Sequence, residues 1–224
     1  MSEKPFQIGR RALMVSGAAV AASSLVRSAS GPLKTEPPAI TPVSFRVNTA
    51  RKLPASLDPQ LVERALAALD EHSDAVTRRD RIAIVDFTAP SSEKRLHFLD
   101  IGSGEVSHLR VTHGTGSDPG HTGFLHSFSN AFNSNASSEG AFVTADYYVG
   151  KHGRSQRLQG LDPTNNNALD RAIVIHGAWY ANADMIKSHG KLGRSQGCFA
   201  VGEDDLNTVF DHLGKGRLIY AARA

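Results

Sequence analysis

The chain has 224 residues, of which 40% are hydrophobic, 21% charged and 7% aromatic, and its net charge is +3. That length suits one globular domain behind a leader, and the apolar fraction suffices for a core. The small positive surplus, with no dense Lys/Arg block interleaved with aromatics, argues against nucleic-acid binding. A single cysteine excludes an intramolecular disulfide framework and any multi-cysteine zinc or iron–sulfur site.

Residues 1–31 read as a twin-arginine-type export signal. Arg10 and Arg11 follow Lys4 and precede an apolar run over 12–26, and Ser28-Ala29-Ser30-Gly31 supplies small residues for cleavage. The run is broken by Ser16, Gly17, Ser23 and Ser24, which makes it a poor membrane span. An uncleaved anchoring helix is the alternative. The expected location is outside the cytoplasm, in the periplasm or cell envelope.

Residues 32–57 are expected to be a Pro-rich linker, since Pro32, Pro37, Pro38, Pro42 and Pro54 fall there. The main folded domain is assigned to 58–224. It opens with a helix over 59–72, in which Asp58 is the N-cap, Pro59 takes the first helical position, and Leu61, Val62, Ala65, Leu66 and Leu69 form one face. Strands are expected over 81–87, 95–101 and 105–112, the last two joined by the turn Gly102-Ser103-Gly104. Residues 114–139, rich in Gly, Ser, Asn and His, read as long loops. Further strands are expected over 141–144, 172–176, 198–201 and 217–221, with helices over 184–189 and 204–213. The pattern is that of a mainly β domain with a few peripheral helices.

Cys198 stands just before an apolar run, after Gly197, which permits close backbone approach or an unusual turn. Twenty-two residues earlier, Ile173-Val174-Ile175 ends in His176-Gly177. Two neighbouring strand ends would bring imidazole and thiol together, which is what a cysteine nucleophile requires. Taken singly, each residue has a plainer reading: a lone strand cysteine is usually inert, and a lone strand-end histidine is usually structural.

The combination His176-Gly177, seventeen intervening residues, then Ser195-Gln196-Gly197-Cys198 resembles the signature of the murein L,D-transpeptidase catalytic domain family (YkuD-like). Val85-Asp86-Phe87, Thr112-His113-Gly114, Ser127-Phe128-Ser129-Asn130, Gly150-Lys151-His152-Gly153 and Arg157-Leu158-Gln159-Gly160-Leu161 resemble one branch of it. The resemblance implies a β-sandwich-like catalytic domain acting on peptidoglycan stem peptides. Cys198 would be the nucleophile and His176 the general base, its ring oriented by the Gly177 carbonyl. The Gly197 and Cys198 amides would form the oxyanion hole. Ser195 would support the nucleophile from its place in the motif, or else be a turn residue bonded to its own backbone. His113 would line the substrate groove or lie in a surface loop, and Lys151 and His152 would contact a stem carboxylate or be ordinary loop groups. Trp179 and Tyr180 would form a lid or a packed pair.

The sequence departs from better-known members at Ala200, where an Asn or Arg is usual, and Arg194 or Arg157 is a candidate to take over that role. The resemblance implies no metal or organic cofactor, and it implies acylation by carbapenem-type β-lactams. The thioester would pass to an amine of a second stem, giving transpeptidation, or to water, giving an L,D-carboxypeptidase. Two other classes are open. One is a zinc peptidase built from Asp118 and His121 with His113, His126 or His176. The other is a non-catalytic peptidoglycan-binding module in which Cys198 is a buried core residue. The oligomeric state is open.

Overall fold

The computed structural model describes residues 57–224, so the segments expected to be an export signal and, up to residue 56, a linker lie outside the described residues. Helix α1 (Pro59–Glu71) starts where Asp58 accepts hydrogen bonds from the amides of Gln60 and Leu61 at 2.8 and 3.0 Å. Its face of Leu61, Val62, Ala65, Ala68 and Leu69 is buried. Leu57, at the end of the Pro-rich stretch, packs in the same cluster.

Eight strands form one sheet: β1 (Arg81–Asp86), β2 (Leu96–Asp100), β3 (Val106–Leu109), β4 (Gly140–Gly150), β5 (Gly153–Gly160), β6 (Val174–Gly177), β7 (Phe199–Val201) and β8 (Leu218–Ala222). Their spatial order is β3-β2-β1-β8-β4-β5-β6-β7. Helices α2 (Asp184–His189) and α3 (Leu206–Leu213) complete a mainly β domain.

The alternation along β1 separates two cores. Ile82 and Ile84 join the α1 cluster, whereas Ala83 and Val85 point into the larger cluster with Phe142, Leu158, Ile175, Phe199 and α3. Residues from β1 and β2 thus share a core with residues from β6 and β7, at the other end of the sheet, which requires the sheet to curl over itself. Phe199 meets Phe142 and Phe87 at ring-centroid distances of 5.4 and 6.4 Å. Each such buried ring or branched aliphatic contributes about 1.5–3 kcal/mol.

The free edge of β7 is covered by the segment that follows β3. The Thr112 amide donates to Ala200 O at 2.9 Å, Ser195 N to His113 O at 3.0 Å, and Thr115 N to Ser195 O at 2.8 Å. This is why the strand expected over 105–112 leaves β2 at Leu109: its last residues are used on the far edge of the sheet.

Two further departures concern β4 and β5. Strand β4 is far longer than the apolar stretch 141–144, and its outer half is largely exposed and pairs with β5 beyond a register shift between Thr144 and Tyr147. Strand β5 has almost no apolar residues apart from Leu158, and it owes its conformation to pairing with β4 and β6. Gly150 pairs with Gly153, so Lys151 and His152 form the two-residue tip of this hairpin, with Gly153 at φ +72°.

Candidate active site

Strands β6 and β7 are parallel neighbours, with His176 paired to Ala200 and Ile175 to Phe199. Cys198 immediately precedes β7, level with Val174 and two residues before His176 in the register, so alternation along the parallel strands turns thiol and imidazole to the same face of the sheet. Both line one cavity of about 550 Å³. Cys198 is half-buried and belongs to none of the hydrophobic clusters, so it is not a core residue.

The His176 ring is fixed from two sides. Nδ1 lies 2.9 Å from the Gly177 carbonyl oxygen. A carbonyl only accepts, so Nδ1 carries the proton and Nε2 presents its lone pair, the tautomer a general base needs. The His152 ring stacks on the other face, with centroids 4.2 Å apart and planes 19° from parallel. Register explains the stack: Ser155 of β5 pairs with His176, and the hairpin tip turns back over it. Burial holds the His176 imidazole below its usual basicity, the bond to Gly177 opposes this, and His152 and Lys151 push it further down.

The Cys198 thiol donates to Ala172 O at 3.5 Å. Burial pushes its pKa above the ordinary thiol value, while the Val174 amide, Lys151 and Arg171 pull it down. At neutral pH the resting thiol and the resting imidazole are therefore both neutral. Ala172 has φ +55°, an unusual conformation for a residue with a Cβ, and the backbone so held aims its carbonyl at the sulfur.

The loop before the cysteine is organised by Ser195. Its hydroxyl donates to Cys198 O at 2.7 Å and accepts from the Gly197 amide at 3.1 Å. The two readings of Ser195 thus coincide: it bonds its own backbone, and by doing so it shapes the nucleophile's turn. The same bond corrects the expected oxyanion hole. The Gly197 amide is already engaged inside the loop, whereas no hydrogen bond among the described residues takes the Cys198 amide. Gly197 has φ +111°, and a Cβ there would stand 2.7 Å from Ala136 O, so only glycine fits.

His113 requires a correction as well. It lies neither in the cavity wall nor in a surface loop but is buried, at 1% exposure. Its Nδ1 accepts from Arg95 at 2.8 Å, its Nε2 donates to Asp118 at 3.2 Å, and burial lowers its pKa to about 4. Arg95 is also fully buried, bonding Val111 O and Ala89 O, and Asp118 accepts from the amides of Thr122 and Gly123. This Arg95–His113–Asp118 chain lies beneath the site: His113 O holds the Ser195 amide, and Arg194 donates to Asp118 O. Sequence reasoning assigned Arg95 no role, because an arginine in a strand pattern normally reads as surface charge.

The candidates for a zinc site are largely engaged elsewhere. Both nitrogens of His113 are committed, His121 Nε2 bonds Leu192 O at 2.9 Å, and His176 stands apart in the cavity. Among the described residues, no group of three or more His, Cys, Asp or Glu side chains is arranged to hold a metal ion.

Lys151, His152 and Arg194 line the cavity, as does Arg171. Arg171 donates to Ser129 O, Ser138 Oγ, Ser134 Oγ and Ala136 O, fastening the 129–138 loop beside Cys198. Arg157 instead stacks on the Tyr148 ring at 4.3 Å. Ala200 is fully buried with Ala178, Ala181 and Leu192, where a longer side chain has no room. Tyr180 lines the cavity edge-on to His176 at 6.5 Å, its phenol pushed up to about 12 by burial and then by Cys198. Trp179 packs on Tyr180 at 5.8 Å but is 65% exposed.

The sequence model of the L,D-transpeptidase catalytic domain matches residues 54–222. The chain belongs to that family. No curated protein matches the sequence. Solved structures similar to this chain include the helical cell shape determining protein Pgp2 from Campylobacter jejuni, at 12% identity and a TM-score of 0.42, covering 75% of this chain and 57% of that one. An L,D-transpeptidase from Mycobacterium smegmatis aligns at 12% identity and a TM-score of 0.40, over 64% of this chain and 58% of that one. The LD transpeptidase LdtMt1 in complex with imipenem aligns at 13% identity and a TM-score of 0.39, over 64% and 59%. The chain therefore spans less than two thirds of the length of each of these three.

Proposed function

We propose that this domain is an exported peptidoglycan L,D-transpeptidase that works through a thioester on Cys198. The observation that carries the reading is that Cys198 and His176 line one cavity from adjacent parallel strands, two residues apart in register on one face, with the imidazole held as the Nδ1–H tautomer. Family membership supplies the reaction class, and the chemistry of the two residues supplies the steps.

On substrate binding, His176 Nε2 takes the thiol proton. The sulfur then attacks the carbonyl that joins the third stem residue to the terminal D-Ala, forming a C–S bond. The Cys198 amide stabilises the oxyanion, a contact of a kind worth about 10²–10³ in rate. The C–N bond breaks, His176 returns the proton to the departing D-Ala amine, and a thioester remains. An amine of a second stem loses a proton to His176, attacks the thioester and forms the crosslink. The Cys198 thiolate leaves and is reprotonated. Water in place of that amine makes the same site an L,D-carboxypeptidase. The strained carbonyl of a carbapenem is attacked in the same way and acylates the sulfur.

The test is incubation of the domain with disaccharide-tetrapeptide muropeptides, with products read by mass spectrometry against a Cys198→Ala control. Crosslinked dimers and free D-Ala that require the thiol are expected. Free D-Ala and tripeptide without dimers would establish the hydrolytic outcome, and no thiol-dependent product at all would refute the reading.

A further inference from the structure

The segment after β3 grips the nucleophile's loop on both sides of Cys198. Thr112 N donates to Ala200 O at 2.9 Å, Ser195 N donates to His113 O at 3.0 Å, and Thr115 N donates to Ser195 O at 2.8 Å. A Cβ on Gly114 would stand 2.9 Å from the Gly197 amide nitrogen, so the segment lies directly against the turn that carries the thiol. Residues 195–200 must follow any movement of residues 112–115.

The side chain of His113 anchors this segment, and its two neighbours leave it one state. Arg95 Nη2, 2.8 Å from Nδ1, can only donate. The Asp118 carboxylate, 3.2 Å from Nε2, can only accept, so the ring is neutral with its proton on Nε2. A neutral imidazole thus joins a buried cation to a buried anion. Asp118 extends the frame, because its oxygens also accept from Thr122 N, Thr122 Oγ1 and Gly123 N and so close the 118–123 loop. From that loop the carbonyls of Asp118 and Pro119 hold Arg194, and His121 Nε2 donates to Leu192 O at 2.9 Å. The approach to the nucleophile's turn is therefore held from the same frame.

Stability alone does not account for such a chain. Desolvation of a guanidinium and a carboxylate offsets most of their attraction, and apolar residues of similar volume commonly stabilise a core as well or better. What the chain adds is one geometry, since each of its bonds has a fixed donor and a fixed acceptor. We propose that His113, held as the Nε2–H tautomer between Arg95 and Asp118, is a positioning residue for Cys198. It sets the loop that keeps the thiol half-buried against the Ala172 carbonyl, in the cavity it shares with His176. The consequence for turnover rests on the transpeptidase reading, whereas the consequence for thiol accessibility does not.

The unaltered full-length chain, His113→Gln and His113→Phe are compared by thermal melting, by iodoacetamide alkylation at pH 8 and by steady-state kinetics on disaccharide-tetrapeptide. Gln offers both an acceptor and a donor, while Phe fills the space and offers neither. In His113→Phe the thiol is expected to leave its half-buried position and be alkylated about tenfold faster. Its kcat is expected to fall about tenfold with KM little changed. His113→Gln is expected to bring both rates back close to those of the unaltered chain. A merely structural role would lower the melting temperature and leave both rates, measured well below it, unchanged. Unchanged alkylation in a folded His113→Phe, or a His113→Gln no better than His113→Phe, would overturn the inference. If His113→Phe fails to fold, nitrogen NMR of the unaltered chain at pH 7 decides: a proton on Nε2 alone is expected, and one on Nδ1 would overturn the inference. Faster alkylation of His113→Phe, when even the unaltered chain releases no D-Ala, would refute the transpeptidase reading and leave the positioning role standing.

Discussion

The imidazole of His152 lies flat on that of His176, with ring centroids 4.2 Å apart. The stack shields one face of the proposed base while the Gly177 carbonyl fixes its Nδ1. His152 thus acts as a positioning residue carried by the β4–β5 hairpin.

Replacing that ring tests the relationship. In His152→Ala, water reaches His176 and its pKa rises toward the ordinary imidazole value. The acid limb of the kcat/KM profile should therefore move to higher pH, and activity at pH 6 should fall by up to about fourfold. His152→Phe keeps the stacking surface and should restore most of the activity. A profile unchanged in His152→Ala would show that the stack has no bearing on the base.

Thiol reactivity follows from burial. The resting thiol is pushed up, so alkylation of Cys198 by iodoacetamide should be slow at pH 7 and still be rising above pH 9. Activity depends on the opposite group: His176 must be neutral, and because its pKa is depressed, turnover should persist to somewhat below pH 6.5. Rapid alkylation at pH 6 would mean that the thiolate forms before substrate binds.

Ser195 ties the Gly197 amide to the Cys198 carbonyl. Ser195→Ala removes both bonds and should lower kcat about tenfold or more, with stability reduced by about 1–2 kcal/mol. Ser195→Thr keeps the hydroxyl and should recover much of the loss. Steady-state kinetics and thermal melts read the two effects separately.

Fold stability has its own pH signature, remote from the site. Arg217 is fully buried and donates to both carboxylate oxygens of Asp80, at 2.9 and 2.6 Å, and this holds the Asp80 carboxyl well below the usual carboxylate range. A depressed carboxyl contributes stability that is fully present above about pH 4 and is lost as pH falls through the folded-state value. Asp80 is half exposed, so solvent screening reduces the effect. Asp80→Asn should cost about 1–3 kcal/mol at pH 7 and flatten the acid side of the denaturation curve. Equal loss of stability at pH 7 and pH 2 would contradict this assignment.

What could be read from sequence follows from where each signal is local. That His176 and Cys198 share a cavity was legible because one closes an apolar run and the other opens the next, and the alternation of neighbouring parallel strands then turns both to one face. Helix α1 was legible from Asp58, Pro59 and one apolar face. Strand β5 was not, because Gly153-Arg154-Ser155-Gln156-Arg157 offers no β-branched or aromatic residue and takes its conformation from its neighbours. His113 was misplaced because its environment is set by Arg95, eighteen residues away, and no local pattern reports that contact. Arg171 entered the cavity through tertiary packing alone, whereas Tyr180 was already a candidate to cover the site. The engagement of the Gly197 amide is likewise invisible until the turn is built.

The most direct measurement is intact mass spectrometry of the domain mixed with disaccharide-tetrapeptide and quenched in acid. The account predicts an adduct equal to the substrate less D-Ala, localised by peptide mapping to Cys198 and absent from Cys198→Ala. Product formation by Cys198→Ala at the wild-type rate, or an adduct on any other residue, would contradict it.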